Sequence, residues 1–249
     1  MKSHSTFDFY DRKGWSLSDS GHFVDGELFE DLRPYCQKYL STNRLKLNNY
    51  FPESGNLLLD FASGPIQYDE YMSYSVNYKK RICIDLSSSA LALAKSRSPN
   101  HISTLCGDII DLDLRAYSFD TILSLHTIYH IPIQSQIYVI QKLVNSLSAH
   151  GTLVIVYSNP NFILERLKSC FKSSSSQKPE FTFERLKPSE ILRSFPSCSL
   201  VPYRALSGED MKRTLPNNII GSFFLYLLSF AEKFLPLILV QYYLIVIKK

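Results

Sequence analysis

At 249 residues with 45% apolar side chains, the chain fits one α/β domain with additions and can build a full core. The formal charge of +4 is too small and spread out to argue for nucleic acid by itself, so a nucleic-acid partner is not expected. The five cysteines (Cys36, Cys83, Cys106, Cys170, Cys198) are odd in number and lack zinc or redox spacing, so no metal site and a reducing, cytoplasmic setting are expected.

In chain order, Met1 to His4 lacks the apolar run of a signal peptide. Residues 1–26 mix Tyr10, Trp15, His22 and Phe23 with small polar residues and read as an ordered arm packed on the domain. Residues 27–41 carry an apolar stripe of helical period, with acids in the first turn and a kink expected at Pro34. Residues 43–55 read as a connector. Leu57-Leu58-Leu59 predicts a strand buried on both faces, ending at Asp60 and followed by small residues as far as Pro65. A tyrosine-rich helical segment is expected over residues 66–78.

The second strand, Arg81 to Asp85, also ends in an acid, and Ser87 can cap the helix that follows. A third strand spans Ile102 to Cys106 and leads to Asp108; Cys83 and Cys106 read as small core residues. The fourth strand, Phe119 to Leu125, runs into His126-Thr127-Ile128-Tyr129-His130. A helix of good period follows Pro132, with Gly151 placed to terminate it, and the fifth strand is Thr152 to Tyr157. Strands alternating with helices imply a doubly wound parallel sheet that binds ligands outside the strands' carboxyl ends. Asp60, Asp85 and Asp108 all lie at such ends.

Beyond Pro160, a helix-like piece over 162–171 and a serine run over 172–179 precede a helix starting at Pro188 and a sixth strand near Ser199 to Arg204. The tail reads as an apolar helix over 220–235 and a strand over 242–247. Glu232, Lys233 and Pro236 interrupt it, so it is too short to span a membrane. A tail lying on a membrane surface, helped by Lys248 and Lys249, is the competing reading.

The loop Asp60-x-Ala62-x-Gly64, with Ile66 in the third glycine slot, resembles the opening loop of class I S-adenosylmethionine-dependent methyltransferases. One of that family's three loop glycines is present. The resemblance covers about residues 56–157. It implies a Rossmann-like, seven-stranded sheet whose last strand is antiparallel, which gives the apolar tail a place in the core. It divides the chain into an N-terminal arm and helix (1–55) and a methyltransferase domain (56–249), with 158–218 shaping the acceptor site. It implies S-adenosyl-L-methionine as cofactor, with Asp60, Phe61, Ala62 and Gly64 near the methionine part. Asp85 and Leu86 fall at the ribose, Asp108 and Ile109 at the adenine, and Leu125 beside the sulfonium. Aromatic N-terminal segments close over the cofactor in many such enzymes, which makes Tyr10 and Trp15 candidate lid residues.

The fourth-strand end lacks the Asn/Asp-Pro-Pro-aromatic run of base-amino methyltransferases, the Pro-Cys pair of cytosine enzymes and the carboxylate cluster of metal-dependent catechol-type enzymes. An oxygen or nitrogen of a small molecule, such as a sugar or secondary metabolite, remains as acceptor. His126 is the first candidate general base and His130 the second, on one face if the segment is helical; Tyr129 could orient the acceptor. A dinucleotide enzyme would need more glycines and no anion at the first strand end. A non-catalytic member of the fold is the alternative of a different class. Oligomeric state is left open.

Overall fold

The computed structural model describes residues 8–165 and 183–249. The proposed helical piece at 162–171 lies mostly, and the serine run wholly, outside them. Seven strands form one sheet in the order β3-β2-β1-β4-β5-β7-β6. They are β1 (Gly55–Phe61), β2 (Tyr78–Asp85), β3 (Ile102–Cys106), β4 (Phe119–Leu125), β5 (Leu147–Ser158), β6 (Ser199–Arg204) and β7 (Tyr242–Lys248). β1 pairs in parallel with β2 and β4, so Leu58 and Leu59 face apolar layers on both sides and are fully buried. β7 runs antiparallel between β5 and β6, as the resemblance implies. Its Tyr243 to Ile247 are buried.

The helices that lie wholly within the described residues are α1 (Val24–Phe29), α2 (Pro34–Lys46), α3 (Asp69–Ser73), α4 (Ser88–Arg97), α5 (Ile133–Asn145), α6 (Pro188–Ser194), α7 (Gly208–Thr214) and α8 (Ile219–Ala231). The single kinked helix expected over 27–41 is two helices. Pro34 opens α2, where its missing N–H costs nothing, and it holds Arg33 extended. Arg33 then pairs with the buried Asp31 and donates to the carbonyls of Leu215 (2.9 Å) and Met211 (2.8 Å). α2 continues to Lys46 and a 3-10 turn over Leu47–Tyr50, through the expected connector. The helix expected over 66–78 shrinks to α3, because β2 begins at Tyr78 and the turn before it takes the intervening residues.

Gly151 does not end α5. It sits inside β5, where a Cβ would lie 2.6 Å from the Phe119 carbonyl, so it allows a close strand approach. Cys106 is exposed because β3 is the sheet's edge strand. The Ser87 cap forms as expected, accepting from the Ala90 amide.

α8 is the largest departure. It packs on α2, with Lys46 donating to the Ser229 carbonyl at 3.1 Å, but Ile219, Ile220, Phe223, Phe224, Tyr226, Leu227 and Phe230 face solvent. Leu225 joins a small buried cluster with Cys36, Tyr39, Leu40 and Met211, and the tail's place in the central sheet belongs to β7. Among the described residues no helix is long and apolar enough to cross a membrane.

Behind the carboxyl edge, the Arg81 guanidinium is fully buried and pairs with Asp60 at the end of β1; it also donates to the Tyr71 carbonyl at 2.6 Å. This pair joins β1 to β2 beneath the first loop. Arg81→Met leaves a carboxylate buried without a counter-charge, and urea unfolding should show a loss of about 3–5 kcal/mol. The double change with Asp60→Asn should recover part of it. A loss under about 1 kcal/mol for Arg81→Met would deny the pair its structural weight.

Candidate active site

The loop after β1 takes left-handed backbone at three positions, only one of them a glycine. Ala62 and Ile66 hold φ of 54° each and Gly64 52°, all left-handed. For the two non-glycines this is a sparsely populated conformation, maintained by surrounding contacts. Ile66 is fully buried and Ser63 donates from its amide to the Ile84 carbonyl. Gly64 is needed twice over, since a Cβ there would meet the Trp15 ring at 2.7 Å.

Asp85 accepts from the Gly64 amide and from the Ser87 amide, both at 2.9 Å, so its carboxylate bridges the first and second loops. Burial raises its pKa, and those backbone donors oppose the rise. The Ser87 hydroxyl donates to Asp11 at 2.8 Å, which ties the N-terminal arm to the same spot. Asp108 accepts from the Ile110 amide at 2.9 Å, with Ile109 buried beside it and Leu86 exposed across the mouth. Phe61 is core. Asp60 has one oxygen already occupied by Arg81. The strand-end carboxylates therefore form one edge, with Asp85 at its centre.

The expected histidine face is not helical. Only Ile128–His130 makes a single 3-10 turn, and His126 stands before it at φ 59°. The three candidates still meet. Tyr129 is 3.2 Å from His126 Nδ1 through its hydroxyl and stacks on His130 at 4.9 Å. Burial depresses the His126 pKa well below the usual range, and the Arg204 guanidinium adds to it. Burial lowers His130 to about 4 and raises Tyr129 well above its ordinary value. Both imidazoles are neutral at pH 7.

Several groups at this site went unsingled in the sequence. Asp25, on α1, bonds the Tyr10 hydroxyl; burial, with Glu30 nearby, raises it to about 7. Tyr10 stacks on Trp15 at 5.0 Å and meets His130 edge-on at 6.2 Å. Arg44 pairs with Glu30 and lies 3.4 Å over the Tyr68 ring. Arg204 lies 4.4 Å over Tyr242, whose ring meets His126 at 4.8 Å. One signal was available for Arg204. It ends β6, at the same carboxyl edge as the acids, and the strand-end rule applied to them reaches it too. Asp25 and Arg44 had none, since nothing local shows that an arm and a helix fold over this edge.

Residues 59–155 match a family model described as a methyltransferase domain. That stretch covers the centre of the sheet, and the chain has the fold of class I methyltransferases. Among solved structures, it resembles the N-methyltransferase NodS of Bradyrhizobium japonicum in complex with S-adenosyl-L-homocysteine, at 15% identity and TM-score 0.57, covering 100% of this chain and 99% of that one. It resembles Haemonchus contortus phosphoethanolamine N-methyltransferase 1 at 14% identity and TM-score 0.60, covering 99% of this chain and 48% of that one. The cyclase SpnF matches at 12% identity and TM-score 0.58, over 88% and 84%. At such identities these likenesses establish the fold. A comparison with curated proteins found no match.

The N-terminal arm should respond to pH through Asp25. Its pKa in the fold, about 7, lies above the ordinary carboxylate value. The neutral form therefore stabilises the packed arm, fully at low pH, and the contribution is lost as pH rises through 7. Hydrogen exchange over residues 8–30, corrected for intrinsic rates, should show easier opening at pH 8 than at pH 6. Asp25→Asn should remove the difference. Equal opening free energies in the unmodified protein would contradict the assignment.

Proposed function

We propose that this chain transfers the methyl group of S-adenosyl-L-methionine to an oxygen or nitrogen of a small-molecule acceptor. The observation that carries the reading is the carboxyl edge itself, where Asp85 bridges the Gly64 and Ser87 amides with Asp108 alongside. Acceptor-only carboxylates at successive strand ends suit a ligand rich in hydroxyl and amine donors. In this reading Asp85 takes the ribose hydroxyls, with Leu86 beside them. Asp108 and Ile109 hold the adenine. Ala62, Gly64 and Phe61 shape the loop over the methionine part, with Asp60 reached by its remaining oxygen. Leu125 and His126 flank the sulfonium. Trp15 and Tyr10 close over the site from the arm.

The cofactor supplies an electrophilic methyl group when bound; the chain's task is to align the acceptor and receive its proton. Alignment is the larger part of such catalysis. Among the candidate bases, Asp25 is matched to neutral pH, whereas His126 is disfavoured as a proton acceptor by the neighbouring Arg204 charge. His130 and Tyr129 orient the acceptor against the β4 end. Similarity to a cyclase keeps one second reading in view, a fold that binds the cofactor for other chemistry.

Calorimetry with S-adenosylmethionine tests the first step. Binding should be lost or weakened by about tenfold or more in Asp85→Ala with the fold intact. No binding at millimolar cofactor would refute the proposal. With an acceptor found by following S-adenosylhomocysteine release, the rate should rise with pH around 7. That limb should vanish in Asp25→Asn and persist in His126→Gln; the opposite pattern would assign the base to His126. Binding without release for any acceptor favours the second reading.

A further inference from the structure

Arg204 is almost completely buried, with its side chain 7% exposed. None of its N–H groups donates a hydrogen bond within the described residues, and Nε is shielded without a partner. Among the described residues its carboxylate neighbour is Glu30 at 3.9 Å, and Glu30 is already bonded to Arg44. Arg44 has Glu70 as well, at 3.7 Å. One carboxylate is thus shared by two guanidinium groups, and Arg204 has the poorer share. Burying a guanidinium with its donors unused is unfavourable, so the arrangement is incomplete as it stands. Its planar fork matches an oxyanion in two parallel hydrogen bonds. Tyr242 lies under its face, and His126, at the β4 end, lies against Tyr242.

We infer that Arg204 is the anchor for an anionic group on the acceptor, a carboxylate or a phosphate. The inference deepens the methyl-transfer reading and rests on it for what the anion belongs to. Glu30 and Arg44 hold the guanidinium in place, and Tyr68, packed on Arg44, closes that side. An acceptor bound by its anion at Arg204 presents the rest of its body to the β4 end, where His126 and Tyr129 stand. Arg204 is a binding residue here, with no part in moving the proton.

The test uses inorganic phosphate and acetate as probes, titrated by calorimetry into the protein with and without S-adenosylhomocysteine. Phosphate should bind the unmodified protein and bind Arg204→Gln at least about tenfold more weakly. Arg204→Lys, which keeps the charge and loses the fork, should fall between. S-adenosylhomocysteine affinity should match across the three proteins, each with a cooperative thermal transition. Tighter acetate than phosphate points to a carboxylate acceptor, and the reverse to a phosphate. If neither anion binds the unmodified protein, or Arg204→Gln binds equally well, the inference is wrong. Failure of S-adenosylhomocysteine to bind refutes the proposed function instead, and the anion titration without it still reads Arg204.

A different observation carries a second inference. The face made by α2 and α8 is apolar, and neither helix carries an acid. α8 carries no charge over its 13 residues, and Ile219 (80% exposed), Ile220 (68%) and Phe223 (60%) lead an exposed row that ends at Phe234 (78%). α2 contains no acid. The acid that follows α8, Glu232, is turned inward onto Tyr39, Lys46 and the Ala205 amide. Lys38 is exposed in the groove between the helices beside Phe223 and Tyr226, and Lys233 lies 4.8 Å over the Phe234 ring. At about 1.5 Å per residue α8 is too short to span a bilayer. An apolar helix rimmed by lysines suits the interface of an anionic bilayer. A two-fold pairing of copies would bring this face against itself, with Lys38 and Lys233 facing like charges.

The geometry points to this face as a seat on an anionic membrane surface. Sedimentation with vesicles of phosphatidylcholine containing about a third phosphatidylglycerol tests it. The unmodified protein should sediment with them, less with phosphatidylcholine alone, and less in high salt. Phe223→Ser with Phe230→Ser, both at exposed positions, should stay in solution while keeping S-adenosylmethionine affinity. Failure of the unmodified protein to sediment with the anionic vesicles overturns the inference. So does a solution dimer that the same two substitutions dissociate, which would assign the face to a second copy.

Discussion

The site depends on one carboxylate. Asp85 stands at the end of β2 and receives the Gly64 amide on one oxygen and the Ser87 amide on the other. Those two bonds set the distance between the loop after β1 and the start of α4. They also explain how the first loop holds left-handed backbone at Ala62 and Ile66, where glycine would adopt it without strain. Beneath, the Asp60–Arg81 pair fixes the strands that carry both loops. From above, Asp11 reaches Ser87 and Trp15 covers Gly64. Substituting glycine's backbone role with packing and hydrogen bonds makes this loop more dependent on its neighbours than a glycine-rich one.

Around His126 the charges are arranged with equal economy. Arg204 and Arg44 share Glu30, and their positive field, added to burial, keeps His126 neutral. Asp25 is protonated more easily than an ordinary carboxylate because it is desolvated and has Glu30 nearby. A neutral imidazole, a poised carboxyl and a partly unsatisfied guanidinium thus occupy one edge. Each is a consequence of folding the arm and α2 over the ends of β4, β6 and β7.

The central sheet was legible in the sequence because its signals are local. Leu57-Leu58-Leu59 reads as a doubly buried strand and Arg81 to Asp85 as a strand ending in an acid, and β3, β4, β6 and the start of β7 lie where periodicity and composition placed them. Asp85 and Asp108 were visible as strand-end acids. Asp60 was visible too, but its pairing with Arg81 was not, because it joins neighbouring strands side by side through the interior. Arg44 and Asp25 reach the site from segments with no motif. The exposed face of α8 was missed for another reason. A helical apolar pattern shows that a helix forms and not which of its sides is covered, and here the buried role of the tail falls to β7.

The most direct measurement of the central claim is a crystal structure of the protein with S-adenosylhomocysteine. The account predicts the ribose hydroxyls on Asp85, the adenine edge at Asp108 and Ile109, and the sulfur facing Leu125 and His126, with Trp15 closed over the ligand. A nucleoside bound elsewhere, or an Asp85 carboxylate that stays committed to the Gly64 and Ser87 amides with no contact to the ribose, would contradict it.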